Sequence, residues 1–133
     1  MKKRILATIA LLSIAALSAS ALPPPEKDDM TLGELLANVF SLEGKVIETA
    51  VTHALSFEQT KSGKYRAFIH HHHGSSLSSE WVYIPEEGKE FFEELSEKSS
   101  RNGSTELYLL VGKKGRLEAV GERYRKSKGI YTW

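Results

Sequence analysis

The sequence contains no cysteine among its 133 residues. This absence excludes disulfide bonds, thiolate metal sites, a cysteine nucleophile and a lipid attached through a cysteine. Proline is scarce as well, with three of the four prolines consecutive at residues 23–25 and the fourth at Pro85. Without cross-links, the folded domain must be stabilised by its packing.

Catalytic motifs are also missing from the sequence. It contains no G-x-S-x-G motif and no glycine-rich phosphate loop, because no Lys-Ser/Thr pair follows Gly112 and Gly115. The acidic residues of segment 86–94 lie on one side of a predicted helix whose other side is aromatic, which is typical of a solvated face. We therefore expect a protein that is not an enzyme and uses no cofactor.

A long apolar run occurs once, over residues 5–17, between the positive start 2–4 and the small residues 19–21. The run is short for a permanent membrane anchor, and small residues are what a signal peptidase requires. A buried N-terminal helix is the competing interpretation, but such a helix would lack a polar face. We predict a signal peptide over residues 1–21, cleaved after Ala21. The protein would be periplasmic or secreted, with no membrane anchor after cleavage.

Neither sign of charge is in large excess, since the sequence contains 18 Lys and Arg residues and 17 Asp and Glu residues. Cleavage removes Lys2, Lys3 and Arg4 and no acid, which leaves 112 residues, 15 basic and 17 acidic, with a formal charge of −2. This length suits a single domain. Net charge gives no argument for nucleic acid, so an anionic ligand would need a local basic patch.

Hydrophobic periodicity predicts a proline-rich linker over residues 22–30 and one domain over residues 31–133. Thr31 and Glu34 form a capping-box pattern at the start of the first helix. The predicted elements are a helix over 32–41, strands over 44–55, 64–71 and 80–84, a helix over 86–98, and strands over 106–111 and 116–124. A Gly/Ser-rich loop is predicted over 74–79, and residues 129–133 either extend the last strand or close the chain irregularly.

Three segments resemble those of the OB-fold superfamily. Residues 42–47 (LEGKVI) are similar to the entry into its first strand, and residues 81–85 (WVYIP) and 119–124 (AVGERY) are similar to its third and fifth strands. The resemblance implies a small exported bacterial protein, mainly β, built on a five-stranded Greek-key barrel with a helix between strands 3 and 4. An N-terminal amphipathic helix would precede the barrel. A different five-stranded half-barrel is the alternative.

Alternation along the second and third strands separates an apolar side from an aromatic and basic one. The interior candidates are Tyr65, Ala67, Ile69, Val82 and Ile84. The exterior candidates are Lys64, Arg66, Phe68, Trp81 and Tyr83. The resemblance implies that this exterior face binds the ligand, flanked by Lys61 on the first inter-strand loop and by Lys113 and Lys114 on the last.

Flat rings beside cations suit several ligands. They stack on nucleobases next to phosphate groups, on the faces of sugars, or against an extended peptide, so an oligonucleotide, a peptide and a glycan all remain candidates. The competing interpretation is that Trp81 and Tyr83 are packing residues, covered by the N-terminal helix.

Four consecutive histidines, His70, His71, His72 and His73, are only weak candidates for metal ligands. Consecutive strand residues point to opposite sides, and apart from His53 no further ligand is evident, so we predict no metal site. The run is better explained as a solvated strand end that leads into the Gly/Ser-rich loop, and its similarity to an engineered affinity tag offers a further explanation. Protonation below about pH 6.5 would make this segment sensitive to acid.

Taken together, these patterns predict a non-catalytic exported binding module. It would hold an oligomeric or small ligand on the face of its second and third strands. The alternative is a structural or assembly protein of the cell envelope that acts through contacts with other proteins, along an open strand edge or through the aromatic face.

Overall fold

The computed structural model describes residues 22–73, 76–97 and 105–133. The predicted signal peptide and its cleavage site at Ala21 lie outside these residues. Among the helices that are described, none is both long enough and apolar enough to cross a membrane.

The described residues form a mainly β molecule with two short α-helices, as predicted at that level. The helices are α1 (Leu32–Ala37) and α2 (Lys89–Glu97). The strands are β1 (Val46–Val51), β2 (His53–Gln59), β3 (Tyr65–His73), β4 (Ser76–Ile84), β5 (Thr105–Val111), β6 (Leu117–Gly121), β7 (Arg123–Arg125) and β8 (Ile130–Thr132). Short 3₁₀ turns cover Val39–Leu42, Glu86–Gly88 and Lys113–Gly115.

Helix α1 begins at the predicted capping box. The backbone N–H of Glu34 donates to Thr31 Oγ1 at 3.1 Å, and Thr31 Oγ1 lies 3.2 Å from Glu34 Oε1. Leu32 and Leu35 are fully buried, so the apolar side of this short helix packs into the core. The α-helix ends at Ala37, and the 3₁₀ turn continues the predicted helical segment to Leu42.

Six strands share one sheet in the order β1-β5-β6-β4-β3-β2, and β7 pairs with β8 separately. Most neighbours are antiparallel, but β4 and β6 are parallel where Tyr83 lies opposite Glu118. The two outermost strands, β1 and β2, are consecutive in the chain and are separated by Thr52 alone.

Three predicted boundaries differ from the structure. The predicted first strand is divided at Thr52, because its two halves pair with different strands, β5 and β3. The predicted fifth strand ends at Gly121, and the hairpin of β7 and β8 follows it. The loop predicted over residues 74–79 is wrong for residues 76–79, which belong to β4 and pair with the histidine end of β3.

The core lies on the inner side of the sheet, under both helices. Period-2 alternation buries Ala67 and Ile69 of β3 and Val82 and Ile84 of β4, as predicted. Tyr65 is half-buried and stacks on Phe57, with 5.7 Å between their ring centroids. Other large core residues come from the helices and the remaining strands: Leu32, Leu35, Ile47, Val51, Phe92, Leu107, Leu109, Val111 and Leu117.

The proline-rich segment runs alongside β1. Pro25 and Met30 form parallel bridges with Val46 and Thr49. The backbone N–H of Glu26 donates to the Val46 carbonyl at 2.9 Å. Part of the edge of β1 is thereby covered by the residues that precede α1.

Candidate ligand-binding face

The outer face of β3 and β4 carries the aromatic and basic side chains that alternation predicted. Phe68 lies opposite Trp81 and Arg66 lies opposite Tyr83 in the antiparallel register. All four are half-buried, neither sealed in the core nor fully solvated. Together with Arg116, which precedes β6, they are called the aromatic–arginine strip below.

Trp81 is the centre of the first half of the strip. The Arg66 guanidinium carbon lies 4.1 Å from the centroid of the Trp81 ring, and the Phe68 ring centroid is 5.1 Å away. Arg66 Nε also donates to Glu58 Oε1 at 2.6 Å. The guanidinium is therefore held between an indole face and a carboxylate.

Tyr83 repeats this arrangement with residues from a different strand. The Arg116 guanidinium carbon lies 3.8 Å from the centroid of the Tyr83 ring. Arg116 Nε lies 3.8 Å from Glu118 Oε1. The parallel pairing of β4 and β6 brings Glu118 opposite Tyr83. Each arginine of the strip therefore has a carboxylate beside it, so the strip carries little uncompensated positive charge.

A cavity of about 650 Å³ opens next to the second half of the strip. Tyr83, Arg116 and Glu118 form one wall of it, so the strip and the cavity are continuous. The other lining residues come from the N-terminal segment, the β2–β3 turn, the start of the α2 region, β5, β6 and the C-terminus: Leu22, Gly63, Lys64, Tyr65, Ile84, Pro85, Glu86, Glu87, Leu110, Ala119, Val120, Tyr131 and Trp133.

The C-terminal segment places two aromatic residues in this cavity. The Trp133 ring packs on Phe91 and Phe92 of α2, with centroid distances of 5.5 and 5.9 Å. It also leaves no room for a side chain at Gly88, where a Cβ would lie 2.7 Å from Trp133 Cζ2. Contacts with α2 therefore hold this wall of the cavity in position.

Tyr131 also lines the cavity and belongs to a cluster of tyrosines. Its ring lies 4.7 Å from that of Tyr124 and 5.4 Å from that of Tyr108. Its hydroxyl donates to the Pro23 carbonyl at 2.6 Å. Burial raises the pKa of Tyr131, and the neighbouring tyrosines add to that effect, so this hydroxyl remains a donor across the physiological range.

The predicted lysines are divided between the cavity and the surface. Lys64 lines the cavity and immediately precedes β3. Lys61 is exposed on the β2–β3 turn, and Lys113 and Lys114 are exposed on the β5–β6 turn; none of these three lines the cavity. Helix α1 does not bury the strip: it faces the core through Leu32 and Leu35.

Four important residues of this region were not among the sequence candidates: Arg116, Glu118, Tyr131 and Trp133. Arg116 and Glu118 reach Tyr83 through a parallel pairing between distant segments, for which the sequence has no local signal. The aromatic content of residues 130–133 was a usable signal for Tyr131 and Trp133, but the route of that segment was not predicted.

Three of the five histidines also meet on the outer face. His53 lies opposite His70, with 5.7 Å between ring centroids, and His72 lies two residues further along β3, with its ring 5.6 Å from that of His70. His70 is buried and His72 is exposed. His71 is buried on the opposite side of β3, while the side chain of His73 lies outside the described part of the structure.

Comparison of this chain with models of protein families, with curated proteins and with solved structures finds no match.

Proposed function

We propose that this protein is a non-catalytic binding module that holds an oligomeric ligand along the aromatic–arginine strip, with one unit of the ligand in the adjoining cavity. The observation that carries the proposal is the pair of half-buried rings, Trp81 and Tyr83, each with an arginine guanidinium packed on one face and a carboxylate beside that arginine. Rings and cations fixed before binding lose little entropy when a ligand arrives.

The proposed architecture is an OB-type barrel. Its strands would be β1 with β2, then β3, β4, β5 and β6, with α2 between the third and the fourth. The pairings support closure, because the two ends of the sheet order are consecutive segments of one chain. The backbone N–H of Thr52 donates to the His70 carbonyl at 2.8 Å, and a bulge follows between Ala54 and Ser56. Bulges allow a strand to bend from one partner to the next.

Among the candidate ligands, the charges favour a glycan over a nucleic acid. A phosphate backbone is bound by arginines and lysines that lack a carboxylate partner. Arg66 and Arg116 are each paired with a glutamate, and Glu86 and Glu87 also line the cavity. Aromatic faces beside paired polar groups suit the alternating apolar and hydroxyl faces of sugars, and OB-type barrels are used for oligosaccharides as well as oligonucleotides.

The place of action that we propose is outside the cytoplasm. The support for export is the pattern of residues 1–21, with its positive start, its apolar run and its small residues before the proposed cut at Ala21. An envelope or extracellular glycan would be available to the protein in that compartment.

The test is binding of the chain to a glycan array, followed by titration of any oligosaccharide that binds, with intrinsic tryptophan fluorescence as the signal. We expect Trp81→Ala to weaken binding at least tenfold, a loss of about 1.4 kcal/mol. The matched control is Leu77→Ala, which removes an exposed side chain from the same side of β4 outside the strip and should leave affinity unchanged.

Tyr83→Ala provides a second variant in case Trp81→Ala does not fold, which circular dichroism reports. Equal affinity of the Trp81, Tyr83 and Leu77 variants would contradict the proposed face. Binding of oligothymidylate at low salt, released at high salt, would instead identify nucleic acid as the ligand.

A second candidate function, assembly with another envelope protein, is favoured by Phe40. This side chain is 78 % exposed within the 3₁₀ turn, Val39–Leu42, that follows α1. Phenylalanine, with the other aromatic residues, is enriched in protein interfaces relative to the rest of the surface. A mass that rises with protein concentration in analytical ultracentrifugation, and no longer rises in Phe40→Ser, would support assembly through this residue.

A further inference from the structure

The histidine cluster on β2 and β3 has the spacing of a metal site. His70 and His72 lie two residues apart on one strand, so both point to the same side of the sheet. His53 lies opposite His70 on the neighbouring strand. Three imidazoles from two paired strands therefore occupy one small area of the outer face, and two of the three come from the histidine run that the sequence alone did not identify as a site.

The ring separations are close to those that a shared ion requires. In a tetrahedral zinc site the Zn–N distances are about 2.0–2.1 Å, which puts the centroids of two bound imidazoles about 5 Å apart. The observed separations are 5.7 Å for His53 and His70 and 5.6 Å for His70 and His72. In the orientations seen here, no three histidine or acidic side chains of the described chain meet the geometry of a metal site. A shared ion therefore requires the rings to rotate about their side-chain torsions.

One further observation shows that a nitrogen of this cluster lacks a partner. His53 Nδ1 is buried, and among the described residues it has no hydrogen-bond partner. A buried polar atom without a partner costs about 1–3 kcal/mol, a cost that a bound ion would offset.

We propose that His53, His70 and His72 bind a divalent transition-metal ion that prefers imidazole, Zn²⁺ or Cu²⁺, with a fourth position left for water or Ser79. Ser79 Oγ lies 3.4 Å from His70 Nδ1 and is on the same face. The N–H of His72 donates to Thr52 Oγ1 at 3.1 Å, which fixes the backbone at this end of the site. This site is separate from the proposed function, because no residue of the strip or the cavity belongs to it.

The test is isothermal titration of the untagged chain with ZnCl₂ and with CuCl₂, with MgCl₂ as the control for a hard cation. We expect one ion to bind per chain with Zn²⁺ or Cu²⁺ and none with Mg²⁺. His53→Gln and His72→Gln should each weaken binding at least tenfold. His71→Gln, which changes the neighbouring histidine on the opposite side of β3, should bind as the parent does.

His53→Gln separates a built site from the chelation that any run of histidines shows. Loss of affinity in His53→Gln, in a chain that circular dichroism shows to be folded, supports the site. Since His72 is exposed, His72→Gln keeps the test decisive if His53→Gln does not fold. The proposal is overturned if no ion binds, or if His53→Gln retains affinity while His71→Gln and His72→Gln lose it equally. Intense visible absorption of the Co²⁺-loaded chain would confirm a tetrahedral arrangement, and weak absorption of an octahedral ion would contradict it.

Discussion

Glu48 and Glu106 are close neighbours on the outer side of β1 and β5. A hydrogen bond between the two carboxyl groups raises the pKa of Glu48 to about 7. Burial and repulsion from Glu106 and Asp29 act in the same direction, while a hydrogen bond from Tyr108 acts against them. Glu48 therefore keeps its proton at moderately acidic pH, and loss of that proton places a charged carboxylate against Glu106.

Glu48→Gln should stabilise the protein at high pH only. Because the folded-state pKa lies above the unfolded value of 4.5, the folded chain holds this proton more tightly, and the stability it contributes is lost as the pH rises through about 7. At pH 8 we expect the variant to gain about 1 kcal/mol after discounting for solvent screening, or about 4–8 °C in Tm, and at pH 4.5 to gain little. Thermal melts at both pH values measure the change in Tm. The exposed Glu43→Gln is the matched control, and an equal gain at both pH values would contradict the explanation.

At the scale of single elements, the N-terminus of α1 depends on one hydroxyl. Thr31 Oγ1 accepts the Glu34 N–H, and the helix that it caps inserts Leu32 and Leu35 into the core. We expect Thr31→Ala to cost about 1 kcal/mol in the free energy of unfolding, because the N–H loses its partner. Thr31→Ser keeps the hydroxyl, so its free energy of unfolding should differ from that of the parent by only a few tenths of a kcal/mol. Urea denaturation measures both, and an equal loss in the two variants would show that the hydrogen bond is not the cause.

Elements with local signals were predictable from the sequence. The N-cap at Thr31 and the alternation along β3 and β4 depend on residues a few positions apart, and both are present. The division of the first strand at Thr52 was not predictable, because it depends on β5 and β3 being different partners. Strand β4 begins at Ser76, in a segment whose serines are typical of a loop, because pairing with β3 outweighs the low strand propensity.

The same contrast between local signals and long-range strand pairing applies to the candidate site. Arg66, Phe68, Trp81 and Tyr83 share a face through the period of two alone, so their grouping could be inferred. The contact of Arg116 with Tyr83 requires the parallel pairing of β4 with β6, and the position of Trp133 requires the β7–β8 hairpin. No short-range pattern encodes these contacts. The meeting of His53 with His70 also depends on register, which a single bulge or shift would change.

At the scale of the whole molecule, the sheet combines neighbouring and distant pairings. Strands β2, β3 and β4 follow one another and pair in sequence order, with a tight turn at Gly63. Strand β1 pairs with β5, where Val46 lies opposite Leu110, and β6 returns to β4. Three of the five pairings therefore join neighbouring strands, including the β5–β6 hairpin, whereas the pairings of β1 with β5 and of β4 with β6 join segments far apart in the chain.

This division has a consequence for the order of folding. Closing a long loop costs entropy before its contacts form, so β2, β3 and β4 should be structured in the transition state and β1 should join late. Val82→Ala in β4 should slow refolding, whereas Val51→Ala in β1, a truncation of an equally buried valine, should mainly accelerate unfolding. Stopped-flow refolding and unfolding in urea measure both rates. Slower refolding of Val51→Ala, with faster unfolding of Val82→Ala, would refute this order. Until β5 arrives, β1 has an unpaired edge, and this interval is when the chain is most prone to aggregate.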